Sequence, residues 1–350
     1  MSRDINVGLI GYGLAGRVFH APTITAVEGL HLKAVVERRG EESRCRYPWA
    51  HIARDAEELY TDDAIELVVV ATPNALHYEL ARRGLEAGKH VVVDKPFTVT
   101  TAEADALIAL AKHTGKHVSV YHNRRWDGDF LTLKRLLSEG AFGDLVEFES
   151  RIDRYRLEPK PGAWREADGP GAGILFDLGP HLLDQALTLF GMPHALTADI
   201  RRQRRSSGPD DSFHLLLDYG HLRVQLAAGM MVAEPTPRFR VHGSEAAYVK
   251  YGLDPQEDAL RGGRVPTERD WGKEPASRWG ILNSRRHGLT VRGRVETLPG
   301  RYTAYYENLR DAIRGTAQPA VTPGAGRDTV HLIELAFRSH AQRRTLDVAD

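Results

Sequence analysis

The sequence predicts two domains of different fold class: an α/β domain with a doubly wound parallel sheet over residues 1–122, and an α+β domain with a mostly antiparallel open sheet over 123–350. Three observations carry this reading. The first third alternates short Val-rich apolar runs with stretches of helical spacing. Later, strand candidates follow one another with little helix between them. A chain of 350 residues also exceeds what one simple core organises and suggests about two domains.

In the first domain, residues 5–10 form an apolar run that ends in glycines. Helical spacing follows from Ala15 towards Val27, with Pro22 expected to distort it. Strands fit 32–37 and 66–71. A helix fits 75–87 and stops at Gly88. A strand at 90–94 precedes a helix over 101–113, for which Thr101 can serve as N-cap. Residues 117–121 are strand-like again. Near-continuous Val runs are the pattern of strands buried on both faces, and repeated strand–helix–strand units imply parallel pairing with right-handed crossovers.

The second domain opens with an amphipathic helix over 129–139, a strand over 145–153 and a helix over 177–190. Strand candidates then occupy 196–201, 213–219, 222–228, 238–242 and 247–251. Residues 254–301, rich in Gly, Arg and Trp without a period, read as a long surface excursion. Helices over 302–314 and 327–342 flank a Pro/Gly linker. No internal repeat is visible.

Composition excludes several function classes. Hydrophobic residues make up 42% and charged residues 27%, an ordinary globular balance. Lys plus Arg and Asp plus Glu both number 47, which leaves no electrostatic footprint for nucleic acid or an anionic membrane. A single cysteine, Cys45, rules out an internal disulfide and a Cys-rich zinc site and suits a reducing compartment. Apolar runs such as residues 67–71 are far short of the ~20 residues of a membrane span. Met1-Ser2-Arg3-Asp4 enters a strand-like run at once, leaving no room for a signal peptide. The expectation is a soluble cytoplasmic protein.

The strongest local motif is Gly11-Tyr12-Gly13-Leu14-Ala15-Gly16, which directly follows a strand and opens a helix. Gly11 permits the tight turn, Gly13 lets a pyrophosphate approach the backbone, and Gly16 lets the helix pack close to the sheet. Phosphate then rests on N–H groups at the helix start, including those of Leu14 and Ala15. Glu37 stands 21 residues past Gly16, near the spacing of an acidic residue that accepts the adenosine ribose hydroxyls. Taken alone it favours NAD. Arg38 and Arg39 follow at once and suit a 2′-phosphate or the adenine face, so the expected cofactor is NAD or NADP.

Thr72-Pro73-Asn74, Asp94-Lys95-Pro96 and Tyr121-His122-Asn123 each follow a predicted strand. In a doubly wound sheet, ligands bind beyond the carboxyl ends of the strands. Lys95 there suits proton relay or the holding of a substrate hydroxyl. In the second domain, Asp177, His181 and Asp184 fall at i, i+4 and i+7, one helix face. A carboxylate beside an imidazole can fix its tautomer and leave the other nitrogen free to take a proton. Gly179 and Pro180 equally suit a simple helix start. No zinc signature accompanies the three, and no metal is expected. The cluster Arg201, Arg202, Arg204 and Arg205 reads as a solvated strand edge rather than a seat for an acidic substrate.

Taken together, Gly11-x-Gly13-x-x-Gly16, Thr72-Pro73-Asn74 with His77, Asp94-Lys95-Pro96 and Asp177-x-x-x-His181 resemble the Gfo/Idh/MocA oxidoreductases over essentially the whole chain. Residues 121–127, Tyr-His-Asn-Arg-Arg-Trp-Asp, look most like the branch of NADP-dependent scyllo-inositol dehydrogenases. The family's lysine motif usually begins with Glu, where this chain has Asp94. The resemblance implies a dinucleotide-binding Rossmann domain and a catalytic set of Lys95, Asp177 and His181. His181 would be general base, Asp177 would hold substrate, and Lys95 would bridge substrate and nicotinamide ribose. Thr72, Pro73, Asn74 and His77 would line the cofactor cleft, with Asn123 near the nicotinamide and Trp126 and Trp164 as sugar-facing walls.

The expected reaction is hydride transfer between NAD(P) and a secondary alcohol of a sugar or inositol-like polyol. The alternatives are an NAD-dependent glycosidase that oxidises its substrate transiently, and a non-catalytic dinucleotide-binding sensor; retention of Lys95, Asp177 and His181 argues against the sensor. A homodimer or homotetramer through the open sheet is implied, with no nucleic-acid or membrane partner.

Overall fold

The computed structural model describes residues 3–205, 208–286 and 288–349. Met1 and Ser2, part of the N-terminal reading, and His287, within the expected excursion, lie outside them. The chain divides into two compact units: Met1–Asn123 with Gln256–Trp271 and Arg301–Val330, and Arg124–Pro255 with Gly272–Gly300 and His331–Asp350.

In the first unit, β1 (Ile5–Ile10), β2 (Leu30–Val36), β3 (His51–Ala53), β4 (Leu67–Val70), β5 (His90–Val93) and β6 (Val118–Val120) form one sheet in the order β3-β2-β1-β4-β5-β6. Every pairing is parallel. The order reverses between β1 and β4, which opens a crevice at their carboxyl ends. Val68, Val69 and Val70 of β4 and Val91, Val92 and Val93 of β5 are wholly buried, as unbroken Val runs require.

Around this sheet run α1 (Ala21–Thr25), α2 (Glu57–Thr61), α3 (His77–Glu86) and α4 (Thr101–Thr114). Residues 15–20 are π-helical and run without a break into α1, the widened stretch being the distortion expected near Pro22, which itself falls in the first turn of α1. The cap of α4 is Thr100, not Thr101. Thr100 is extended, its hydroxyl accepts the Glu103 N–H at 3.2 Å, and the Glu103 carboxylate accepts the Thr100 N–H at 3.1 Å.

Two later segments pack with this unit although they lie beyond residue 122. Gln256, at the start of the helix Gln256–Arg261, accepts bonds from the Trp271 indole (2.9 Å) and the Tyr302 N–H (2.8 Å). Tyr305, on the helix Thr303–Ile313, donates to Ser119 at 2.9 Å and packs edge-on against Tyr121. The expected continuous block 123–350 is therefore interrupted.

In the second unit, β7 (Leu145–Arg151), β8 (Ala195–Arg201), β9 (Ser212–Tyr219), β10 (Leu222–Gly229), β11 (Pro237–Gly243), β12 (Ala246–Tyr251), β13 (Gly280–Arg286), β14 (Leu289–Val295) and β15 (Leu346–Asp347) make a nine-stranded sheet in the order β14-β13-β12-β11-β7-β10-β9-β8-β15. Only β7 and β10 pair parallel. The helices α5 (Gly128–Ser138) and α6 (Ile174–Phe190) belong here, and α6 packs on β9 and β10. Phe213, Leu215 and Leu217 alternate with exposed His214, Leu216 and Asp218 along β9, so one face of the strand is core.

The segment 254–301 is not a structureless excursion. It supplies the β13–β14 hairpin that extends the sheet, and its Glu274 forms a buried ion pair with Lys250 at 3.1 Å. Nearly every position of β14 is exposed, so no hydrophobic alternation marked it.

Candidate active site

The glycine loop closes β1 as its spacing requires. Gly11 has φ +97°, and a Cβ there would come within 2.6 Å of the Ala71 carbonyl oxygen. A Cβ on Gly16 would lie 2.0 Å from the Gly11 carbonyl, so only glycine lets the turn pack this closely. Gly13 is the opposite case, with nothing within 4 Å of the place its Cβ would take. Its carbonyl accepts the Arg17 N–H at 2.9 Å and starts the helical turn, while Leu14 beside it is exposed. Tight at Gly11 and Gly16 and open at Gly13, the loop fits a dinucleotide pyrophosphate.

Glu37, expected to accept ribose hydroxyls, is buried. One carboxylate oxygen accepts the Glu42 N–H and the other the Ser43 N–H, each at 2.9 Å. It holds the turn Glu42–Cys45 against the end of β2. Around it Arg17 pairs with Glu42, and Arg44 and Arg54 pair with Glu41. Arg38 and Arg39 are exposed, and among the described residues neither makes an ion pair.

At the end of β4, Thr72 is half-buried, Pro73 exposed and Asn74 buried. His77 is fully buried rather than lining a surface. Its Nδ1 lies 2.8 Å from the Pro96 carbonyl and its Nε2 3.0 Å from the Thr72 carbonyl. The ring ties the segment after β4 to the segment after β5. Lys95 is 9% exposed, and its bond to Pro96 is cis. Beside it, burial pushes the Asp94 carboxyl up, but the His20 hydrogen bond and the charges of His20, Lys95 and His77 outweigh burial and hold it down at about 2. His20, 3.4 Å from Asp94, also meets the Tyr306 hydroxyl at 2.6 Å. His122 and Asn123 are buried after β6.

In the second unit, Asp177 and His181 sit one turn apart on α6, which begins at Ile174 rather than Asp177. Both of Asp177's oxygens face guanidinium groups, from Arg165 at 3.3 Å and Arg154 at 3.5 Å. His181 is 7% exposed. Asp184, the third residue of the expected face, is taken up in a two-pronged pair with Arg125 at 2.6 and 2.9 Å and acts as a structural group. Trp126 and Trp164 are half-buried, and the Arg165 guanidinium lies 4.4 Å from the Trp164 ring centroid. Arg204 is not a solvated edge: its side chain, 6% exposed, is held between Glu166 (2.8 Å) and Asp211 (3.1 Å).

Sequence reasoning missed Arg154, Arg165 and Asp210, the last of which caps α6 at Leu175. Each reaches its partner from a distant or irregular segment, and no local pattern announces it. Among the described residues no three His, Cys, Asp or Glu side chains form a metal-binding group, and no helix is long and apolar enough to cross a membrane.

A six-stranded parallel sheet with a glycine loop at the switch point, joined in one chain to a mixed sheet backed by α6, is the architecture of a dinucleotide-dependent oxidoreductase. Residues 5–122 match the oxidoreductase family's NAD-binding Rossmann fold and residues 134–348 its C-terminal alpha/beta domain, and the chain belongs to the Gfo/Idh/MocA oxidoreductase family. It is 45% identical over 349 residues to the oxidoreductase YdgJ of Escherichia coli, spanning 100% of both chains. It is 42% identical over 348 residues to scyllo-inositol 2-dehydrogenase (NADP(+)) IolW of Bacillus subtilis, spanning 98% of this chain and 95% of the relative. The solved structure of the oxidoreductase yvaA from Bacillus subtilis superposes with a TM-score of 0.96 at 41% identity, over 99% of this chain and 98% of that one. The protein is an NAD(P)-dependent dehydrogenase.

Proposed function

We propose that this dehydrogenase oxidises a secondary alcohol of a cyclic polyol or sugar, inositol being the model substrate, and takes NADP. One observation carries the reading. The carboxyl-terminal edge of a single parallel sheet holds the glycine loop, the Thr72–Asn74 segment and a nearly buried Lys95 whose neighbours His77 and Asp94 are fixed. The likeness to a scyllo-inositol 2-dehydrogenase supports the substrate class. The cofactor choice rests on the Glu37 carboxylate, engaged with backbone amides, and on the unpaired Arg38 and Arg39 beside it, which suit a phosphate dianion.

When bound, the nicotinamide supplies the hydride acceptor. The catalytic set is Lys95, Asp177 and His181. His181 removes the hydroxyl proton, one turn along α6 from Asp177, which accepts a hydrogen bond from a second hydroxyl of the ring. Arg154 and Arg165 hold that carboxylate in place. The Lys95 ammonium donates to the reacting oxygen and opposes its protonated form. Trp126 and Trp164 offer aromatic faces to the C–H-rich ring.

The uncovered face of the nine-stranded sheet supports a homodimer or homotetramer, and the exposed free Cys45 suits a cytoplasmic location. The function is tested by incubating the full chain with NADP or NAD and a panel of inositols, hexoses and aryl glycosides. Reduced-nicotinamide absorbance with an inositol or hexose is the expected result. Silence across the panel, or aglycone release without net reduction, overturns it.

A further inference from the structure

The second unit holds a cavity that the proposed reaction does not use. It is a half-open cavity of about 1030 Å³ between β8, the Pro209–Asp210 loop and the end of the helix Pro323–Gln342. That is near the upper end of small-molecule sites, roughly 300–1,000 Å³. Its lining includes apolar Ile200 and Phe337 and four arginines, Arg201, Arg202, Arg343 and Arg344.

The lining carboxylates are engaged. Asp199 accepts from Arg201 at 2.6 Å, and Asp210 accepts the Leu175 N–H at 2.8 Å. Arg344 gives only its Nε, to Gln342 at 2.8 Å. Among the described residues, Arg202 and Arg343 make neither an ion pair nor a side-chain hydrogen bond. Two uncommitted cations in a cavity also lined by Ile200 and Phe337 leave positive charge that a solvated strand edge, with counter-charges interspersed, does not.

Arg343 carries a second mark. Its φ is +53°, in the left-handed region, directly after the helix ends. Glycine is the usual residue there because it alone enters that region without a steric cost. Ending the helix therefore does not explain an arginine, and strained positions of this kind cluster at ligand sites.

We propose that this cavity binds a small organic dianion, its oxygens on Arg202 and Arg343 and its carbon skeleton on Ile200 and Phe337. Such a charge is carried by a dicarboxylate or by a phosphate monoester. The cavity also abuts the start of α6. Asp210 in its lining bonds Leu175, and Phe337 in its lining stacks on Phe176 with ring centroids 5.8 Å apart. The residue after Phe176 is Asp177.

Calorimetric titration of the full chain, once with malate and once with glycerol 3-phosphate, tests the proposal. At least one should bind saturably with Kd below about 1 mM, and which one binds separates carboxylate from phosphate recognition. The Arg202→Ser/Arg343→Gly variant should weaken that binding about tenfold or more. Both positions are exposed, and glycine suits the backbone at 343, so folding is preserved. An Arg38→Ser/Arg39→Ser variant should bind as the parent does. No saturation by either compound, unchanged affinity in the Arg202/Arg343 variant, or loss in the Arg38/Arg39 variant overturns the proposal.

Discussion

The Asp210 carboxylate caps α6 from 35 residues away, accepting the Leu175 N–H at 2.8 Å. The helix's own cap position is Gly173, which offers no side chain and has φ +94°; a Cβ there would come 2.1 Å from Asp210 Oδ1. Gly173 and Asp210 thus form one device, holding the first turn of the helix that bears Asp177 and His181. Removing the acceptor in Asp210→Ala should cost about 1–2 kcal/mol, read from the denaturation midpoint.

Asp210 also makes stability depend on pH. Burial pushes its carboxyl up to about 6, helped by the neighbouring Asp211 charge and opposed by the hydrogen bonds it accepts from the helix start. The folded state therefore holds this proton more tightly than the unfolded chain. The associated stabilisation is full below about pH 4 and is lost as pH rises through about 6. Asp210→Asn keeps an acceptor for Leu175 but cannot ionise. Its stability relative to the parent should rise across that window; a constant difference in denaturation free energy from pH 4 to 7 would sink the assignment.

The Arg125–Asp184 pair joins the turn after β6 to the middle of α6 with the Asp184 side chain 2% exposed. Asp184→Ala would remove the carboxylate that takes both prongs of the Arg125 guanidinium, and should destabilise by about 3–5 kcal/mol. Replacing both by apolar residues, Arg125→Met with Asp184→Leu, should recover most of that loss. A single variant that melts like the parent would mean that Arg125 turns to water instead.

What the sequence discloses follows the range of the interaction. The β1–turn–helix unit is legible because one short segment meets every demand: an apolar run, then glycines at Gly11, Gly13 and Gly16. The Val runs of β4 and β5 are legible for the same reason. Thr100 and Thr101 are equal as capping residue types, and only the extended backbone at Thr100 decides. Glu37 has the spacing of a ribose ligand, but no local pattern shows that its oxygens also hold the amides of Glu42 and Ser43. The β13–β14 hairpin was invisible because its exposed positions carry no period. Asp210, Arg154 and Arg165 act across long separations, where no pattern in a single chain can register them.

Cofactor choice follows from the Glu37 turn. Arg38→Ser/Arg39→Ser should raise KM for NADP by about 10–100-fold, the worth of one or two charge-assisted bonds, while KM for NAD changes little. Glu37→Ala removes the carboxylate that accepts two backbone N–H groups of the turn and should lower the melting temperature and weaken both cofactors together. A Glu37→Ala chain that loses NAD alone, with its melting temperature intact, would return that carboxylate to the ribose.

The catalytic assignment is open to the most direct test. His181 is buried on a helix whose start is capped by Asp210 and whose middle is pinned by Arg125, so its removal should leave the fold in place. His181→Ala should cut kcat by ~10²-fold or more through loss of the proton acceptor. Lys95→Ala should lose as much, and because Lys95 helps hold Asp94 at about 2, the Asp94 carboxyl in that variant should titrate higher. Carbon-detected NMR of labelled Asp94 reads that shift without reference to turnover. Full turnover in either variant, with melting temperature unchanged, removes that residue from the chemistry; a raised Asp94 pKa with full turnover would make Lys95 a structural cation and leave His181 to be judged on its own variant.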